Sequence, residues 1–384
     1  MIIKAPTARL VTLLLIFTVH SHPANSTPVQ QQDINTNTDL TVGFMTNYNY
    51  REFNEDSKNK LGDFGLALIR MGIETRHKDF ILSARYHWYN SFNAVHHAWV
   101  GYNTSSTLQI QAGIIKVPFG LSPYAAHTFW LSVPYYVGHD DDHDTGVKLL
   151  FKKHDLDIQF SVIKNEELGN SNSTSRYSTD IISDADSNQF NQEVNQLNFR
   201  ASYKKQHQAN FKTEIGMSAE WGQLYNTNLK SFGDHSAGAF HINSVFHHWH
   251  FQFEAFKYQY NPENPDTTST DTVLMGMLGA KAEVASEGVV YVANVARDIS
   301  LNWGPVKKLK CYNDFSSLKK AKNEFNDSKL NVTGCMLKTG PTLIFIDFMS
   351  GKNMTFFGDN TGMGSGGDNQ WKHRFNVRLG YFFK

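Results

Sequence analysis

Between Pro118 and Asp144 the chain gathers the side chains best suited to chemistry. Tyr124, His127, Phe129, Trp130, Tyr135 and Tyr136 precede the run His139-Asp140-Asp141-Asp142-His143-Asp144. Carboxylate oxygens are hard ligands, so Asp140, Asp141, Asp142 and His143 form a candidate site for calcium or magnesium. The alternative is a solvated acidic stretch. Lys116, at the base of the same segment, could attract anions, or it could lay its aliphatic stem along an apolar surface.

The chain has 17 histidines, which raises the question of a second metal or catalytic site. The clusters are His96-His97, His247-His248 and His250. Neighbours on a strand point to opposite faces, so each doublet is a poor chelate, and His248 and His250 fall in a short turn. Beyond the acidic run the sequence calls for no metal and no cofactor. Asp234-His235-Ser236 is the one compact acid–base–hydroxyl set, but a triad is defined by geometry and not by adjacency. No Gly-x-Ser-x-Gly element occurs. The expectation is a protein that is not an enzyme. Cys311 and Cys335 are the only cysteines. In an exported chain such a pair implies one disulfide, with two unpaired thiols as the alternative.

The elements that must carry these groups are strands. In His373–Phe383, Phe375, Val377, Leu379, Tyr381 and Phe383 alternate with Arg374, Asn376, Arg378 and Gly380. One face is apolar and the other carries two cations. A membrane-spanning barrel shows this pattern on most strands, with a polar interior and aromatic girdles. Runs of about ten residues repeat it from Leu40 onward. They cover 40–50, 64–74, 80–88, 98–102, 108–114, 147–153, 156–162, 197–203, 211–221, 240–247, 249–260, 273–284, 289–298, 306–316, 337–349 and 373–383. A phase slip after Ala255 predicts a bulge there. Short turns at 76–79, 103–106, 154–155, 204–210 and 285–288 alternate with long segments at 118–144, 165–193, 223–237 and 261–271. The reading is all-β: a transmembrane antiparallel β-barrel of sixteen strands, with fourteen or eighteen also compatible. The short turns would face the periplasm.

Lys4 and Arg9 followed by the apolar run Leu10–Val19 and the small residues near Ser21–Ser26 have the order of a secretory signal peptide. The predicted organisation is a signal peptide over 1–24, a polar segment over 25–38 and a barrel over 39–384. Lys plus Arg and Asp plus Glu both number 36, so the net charge is zero. A nucleic-acid binder would carry a basic excess, so no nucleic-acid partner is expected.

Several stretches resemble the phosphate-selective porin O/P family of Gram-negative outer-membrane proteins. They are Gln111-Ala112-Gly113-Ile114-Ile115-Lys116-Val117-Pro118-Phe119-Gly120, Asp144-Thr145-Gly146-Val147-Lys148, Cys311–Ser316 and Asp347–Asn353. The aromatic C-terminal strand also resembles the assembly signal of such barrels, displaced by Lys384. The resemblance implies a sixteen-stranded, trimeric channel in the outer membrane with one loop folded inward, passing small hydrophilic solutes or ions. Its lipid partners would surround the apolar band. A non-channel barrel, structural or adhesive, and a barrel hydrolase are the alternatives. Alternation assigns Arg85, Gln109, Gln111, Arg200, Lys212, Glu214, Arg374 and Arg378 to the pore lining, and Lys116 joins them by its place at the base of the loop. Asp157, Glu220 and Glu254 join Glu214 on that inward side, and so mixed a lumen predicts weak selectivity, because rings of one sign make an ion filter. Phosphate is therefore one candidate anion among several.

Overall fold

Strands with one apolar and one polar face need their edges paired, and closing the sheet does this completely. The computed structural model of the protein describes residues 36–169 and 172–383, and there the sheet closes. In chain order the elements are β1 (Thr36–Arg51), α1 (Glu55–Asn59), β2 (Asp63–His77), β3 (Phe80–Tyr89), β4 (Asn93–Asn103), β5 (Leu108–Lys116) and α2 (Val133–Tyr136). Next come β6 (His143–Lys153), β7 (Leu156–Asn165), β8 (Asp180–Ile181), β9 (Asn191–Gln208), β10 (Phe211–Asn226), β11 (Phe232–Phe246) and β12 (Trp249–Asn261). The last are β13 (Thr272–Met277), β14 (Ala280–Ala285), β15 (Glu287–Trp303), β16 (Val306–Lys320), β17 (Ser328–Thr339), β18 (Thr342–Lys352) and β19 (Trp371–Phe383).

Sixteen strands form a closed antiparallel barrel in sequence order, with β1 sealing onto β19 from Val42↔Phe383 to Arg51↔Arg374. The remaining three, β8, β13 and β14, form a small separate sheet. In β19, Arg374, Asn376, Arg378 and Gly380 are buried, while Phe375, Leu379, Tyr381 and Phe383 are exposed. The same alternation leaves Phe240, Phe251, Phe253, Phe348 and many other large apolar side chains on the outside. An apolar exterior of that extent matches a hydrocarbon surround.

The count of sixteen agrees with the sequence reading, but two of the expected strands are different ones. Val273–Val284 is not a wall strand. It is the β13–β14 hairpin, joined to β8 through Met275↔Ile181, and β12 pairs directly with β15. Val273, Met275, Met277, Ala282 and Val284 are all buried, so the run is apolar because it lies in a core and not because one face meets lipid. It follows that 285–288 is no turn: Glu287 and Gly288 already belong to β15. Conversely, 337–349 is two strands. Gly340, with φ +53°, and Pro341 turn the chain between Thr339 and Thr342. The loop expected over 223–237 shrinks to 227–231, since β10 and β11 extend into it.

The predicted bulge after Ala255 is absent. Pairing of β12 runs unbroken on both sides. Phe256, Tyr258 and Tyr260 stay on the inward face, and Lys257 points out to Glu287, 2.6 Å away. The apparent slip arises because this end of the barrel is filled with protein, which reverses the usual polarity of the two faces. β1 begins at Thr36, so residues 36–38 belong to the first strand and not to the polar segment. The predicted signal peptide over 1–24 lies outside the described residues.

Short turns cluster at one end: 78–79, 104–107, 154–155, 209–210, 247–248, 304–305 and 340–341. The other end carries the longer connections, chiefly 117–142, 166–190, 262–286 and 353–370. Tyr135, Val137, Phe256, Tyr258, Val273 and Met275 share one buried cluster there. The barrel therefore encloses a protein core beside a remaining open space.

Candidate functional site

The segment 117–142 folds into the barrel, and wall side chains hold it residue by residue. Gly120 N–H donates to Ser218 Oγ at 3.0 Å, and the Gly120 carbonyl accepts from Arg200 Nε at 2.8 Å. Leu121 N–H donates to Glu254 Oε2 at 2.9 Å. Glycine is required at 120: its φ is +56°, and a Cβ there would lie 2.3 Å from Glu254 Oε1. The segment then crosses to the far wall. Asp314 accepts from His127 N–H (2.6 Å), His127 Nδ1 (2.7 Å) and Thr128 N–H (2.9 Å). Val133 N–H donates to Ser316 Oγ at 3.1 Å.

These anchors sort the inward charges. Arg200 also donates to Glu214 at 2.8 Å, and both are buried. Glu220 lies 3.4 Å from His139 Nδ1 and 3.3 Å from His235 Nδ1. Arg200, Glu214, Glu220 and Glu254 thus face inward but serve to fasten the loop or one another. Gln111 donates to Gln109 at 2.7 Å, and Gln109 to Asn103 at 2.8 Å, nearer the short-turn end. Lys212 is exposed beside the 209–210 turn.

What the loop leaves open is a cavity of about 450 Å³ between itself and the wall of β2, β3 and β19. Arg70, Arg85, Arg374 and Arg378 line it from the wall, and Phe129, Trp130 and Asp141 from the loop. Phe92, Leu278 and Phe356, from three other connections, also line it. The guanidinium carbons of Arg374 and Arg378 each lie 4.2 Å from the Trp130 ring centroid, and Arg378 is 4.5 Å from that of Phe129. Arg70 stacks on Phe382 at 4.0 Å. Such stacking fixes a cation's direction while leaving its N–H donors available in the ring plane.

Asp141 is the single carboxylate of the lining, and it is paired. Lys116 Nζ lies 2.6 Å from Asp141 Oδ1 and also donates to the Pro123 carbonyl. Tyr177 OH donates to Asp141 Oδ2 at 2.5 Å. Burial alone would push this carboxyl up; Lys116, His143 and Tyr177 outweigh it and hold the group at about 2. Asp140 has no direct ion pair: burial pushes it up to about 7, although the Lys116 charge and an N–H from Ala125 at 3.0 Å act against that.

Of the acidic run read in the sequence, Asp140, Asp141, Asp142 and His143 do not converge on one point: Asp140 accepts from Ala125 N–H, Asp141 pairs with Lys116 and Tyr177, and Asp142 lies with Asp144 and Asp180. His143 Nδ1 lies 2.9 Å from the Asp141 carbonyl. The doublet His96-His97, in contrast, does come together. The register between β3 and β4 jumps from Arg85↔His97 to Tyr86↔Val95, so His96 is a bulged residue. The bulge removes the alternation that would have separated the rings, and their Nδ1 atoms are 2.9 Å apart. His250 bonds His127 at 2.8 Å and Asn243 at 2.6 Å. His235 is buried while Asp234 and Ser236 project to the opposite, exposed face, so the three do not assemble. Cys311 and Cys335 face each other across β16 and β17 and are bonded.

Arg70 is absent from the sequence reading because it lies in a strand of weak alternation, and Trp130 stands there as one loop aromatic among several. No protein-family model and no curated protein matches the sequence. The fold does have solved counterparts. OmpT, an outer-membrane protein of Vibrio cholerae solved in a trimer form, aligns over 91% of this chain and 99% of its own at TM-score 0.56 and 10% identity. The outer-membrane channel DcaP of Acinetobacter baumannii aligns over 91% and 97% at 0.57 and 11%. An anion-selective porin from Comamonas acidovorans aligns over 91% and 100% at 0.55 and 9%. At these identities the likeness establishes a shared porin-like barrel architecture.

Proposed function

We propose that this chain is a porin of the Gram-negative outer membrane, through which small hydrophilic anions diffuse passively. The observation that carries the reading is the charge of the cavity. Four arginines line it against one aspartate, and that aspartate is already ion-paired to Lys116. The mixed inward charge read along the sequence divides spatially: Glu220 and Glu254 anchor the loop, Glu214 pairs with Arg200, and Arg85, Arg374 and Arg378 border the open space. A constriction of one sign selects the opposite ion, so the weak selectivity expected from the sequence gives way to anion preference. The shared fold with an anion-selective porin of Comamonas acidovorans supports the same direction.

Phosphate is the finer reading. Arginine donors match phosphate oxygens in pairs, and the Lys116–Gly120 turn resembles the phosphate-selective family. A homotrimer is the proposed assembly, supported by the trimer form of the Vibrio cholerae barrel. The transport role requires no catalytic group. The test is single-channel recording of the refolded protein, first in chloride and then with phosphate added. Discrete steps establish a pore, and a fall in chloride current on adding phosphate places phosphate at the arginines. Steps without that fall would leave a general anion porin. Absence of steps from a folded barrel would favour an adhesive or structural one.

A further inference from the structure

We propose that Asp142, Asp144 and Asp180 bind a hard divalent cation of the calcium class, which fastens the 166–190 connection to the root of the inward loop. Asp142 ends the loop, Asp144 is the second residue of β6, and Asp180 is the first of β8, paired to Gly276 of β13. One carboxylate oxygen from each lies within 4.8 Å of the other two. Calcium–oxygen distances of about 2.3–2.6 Å place ligands on opposite sides of the ion about 5 Å apart, so the set is already spaced around an ion of that size.

The second observation is that these groups are buried and that five of their six carboxylate oxygens have no hydrogen-bond partner, Ser178 bonding Asp142. Asp144 and Asp180 are fully buried, and Asp142 is 6% exposed. Neither oxygen of Asp144 has a hydrogen-bond partner, nor has Asp142 Oδ1 or either oxygen of Asp180. Glu167 beside them is buried with both oxygens likewise unbonded. Among the described residues, Arg176 is the one cation ion-paired to this group. Its Nη2 is 2.5 Å from Glu166, and its longer contacts reach Glu167 at 3.4 Å and Asp180 at 3.3 Å. Asp142 and Asp144 make no direct ion pair with it. Ionised carboxylates excluded from water and without partners are costly. A divalent cation cancels that cost, and all-oxygen ligands choose calcium or magnesium over zinc or copper.

This site differs from the contiguous run in the sequence. Asp142 and Asp144 belong to that run, two residues apart, and the fold brings Asp180 to them. Its position gives it a role. Asp180 is paired to the hairpin whose tip carries Leu278, part of the cavity lining, so the cation would hold that part of the rim. The inference rests on the carboxylates alone and does not depend on the transport reading.

The experiment uses full-length mature protein, refolded in detergent without lipopolysaccharide, which itself carries divalent cations, and stripped with EDTA. Equilibrium dialysis against radioactive calcium should show one ion per chain. The thermal unfolding midpoint should rise by about 5 °C or more with saturating calcium relative to EDTA. Asp144→Asn and Asp180→Asn should each lower calcium affinity at least tenfold and abolish that rise. If one variant does not fold, the other gives the same readout, and the wild-type comparison of calcium with EDTA stands by itself. No bound calcium together with equal midpoints would overturn the proposal, because the cluster would then be neutralised by protons. Undiminished binding in both variants would also overturn it, by placing the ion elsewhere.

Discussion

Arg378 of the barrel wall and Trp130 of the inward loop meet face on, with the guanidinium carbon 4.2 Å from the indole centroid. The two elements are far apart in sequence, and their meeting places cationic and aromatic groups side by side in the lining of the cavity. Arg374 repeats the contact at the same distance. Replacing both arginines by glutamine keeps a similar volume and removes two of the four cationic wall groups. The anion-to-cation permeability ratio should fall by roughly threefold or more, read as a shift of the reversal potential under a salt gradient.

Trp130→Ala removes the aromatic surface on which both arginines rest. The passage widens and the arginines gain freedom. Single-channel conductance should rise by roughly half or more, with a smaller change in ion preference. An unchanged conductance would mean that the current follows a different route.

Asp314 fixes the crossing point of the loop through three hydrogen bonds to His127 and Thr128. Asp314→Ala leaves two buried N–H groups without acceptors and should destabilise the fold by about 3 kcal/mol. The barrel should still form, since its backbone pairing is untouched. Chemical denaturation reads the first effect, and increased flicker in single-channel current reads the release of the loop.

Lys116→Glu sets a second carboxylate against Asp141 where an ion pair stood at 2.6 Å. The cavity loses its internal neutralisation, and the reversal potential should move toward cations. If ion preference is unchanged, the Lys116–Asp141 pair lies outside the conducting path.

Cys311 and Cys335 are bonded between strands that the sheet already holds in register. Replacing both by serine should lower stability by roughly 3 kcal/mol through the freer unfolded chain, with conductance unchanged. The temperature at which the compact gel band is lost measures the first, and bilayer recording the second.

Much of this architecture is written in local alternation. Arg374 and Arg378 could be assigned to the interior because Phe375, Leu379 and Tyr381 flank them. The alternation rule fails where its premise fails. Phe256, Tyr258 and Tyr260 face inward because the loops supply an apolar core there, so the strand reads as out of phase. Val273–Val284 has the composition of a wall strand for the same reason. His96 and His97 meet through a bulge that no periodicity announces. The separation of inward charges into anchors and cavity residues was not legible, since it depends on which wall residues the loop crosses. Asp144 and Asp180 likewise meet only through the fold.

The most direct test of the central claim is the reversal potential of the refolded protein in a planar bilayer under a potassium chloride gradient. The account predicts discrete conductance steps and a potential whose sign reports chloride as the more permeant ion, reduced in the Arg374→Gln, Arg378→Gln double variant. A cation-selective potential, or no steps from a verified folded barrel, would contradict it.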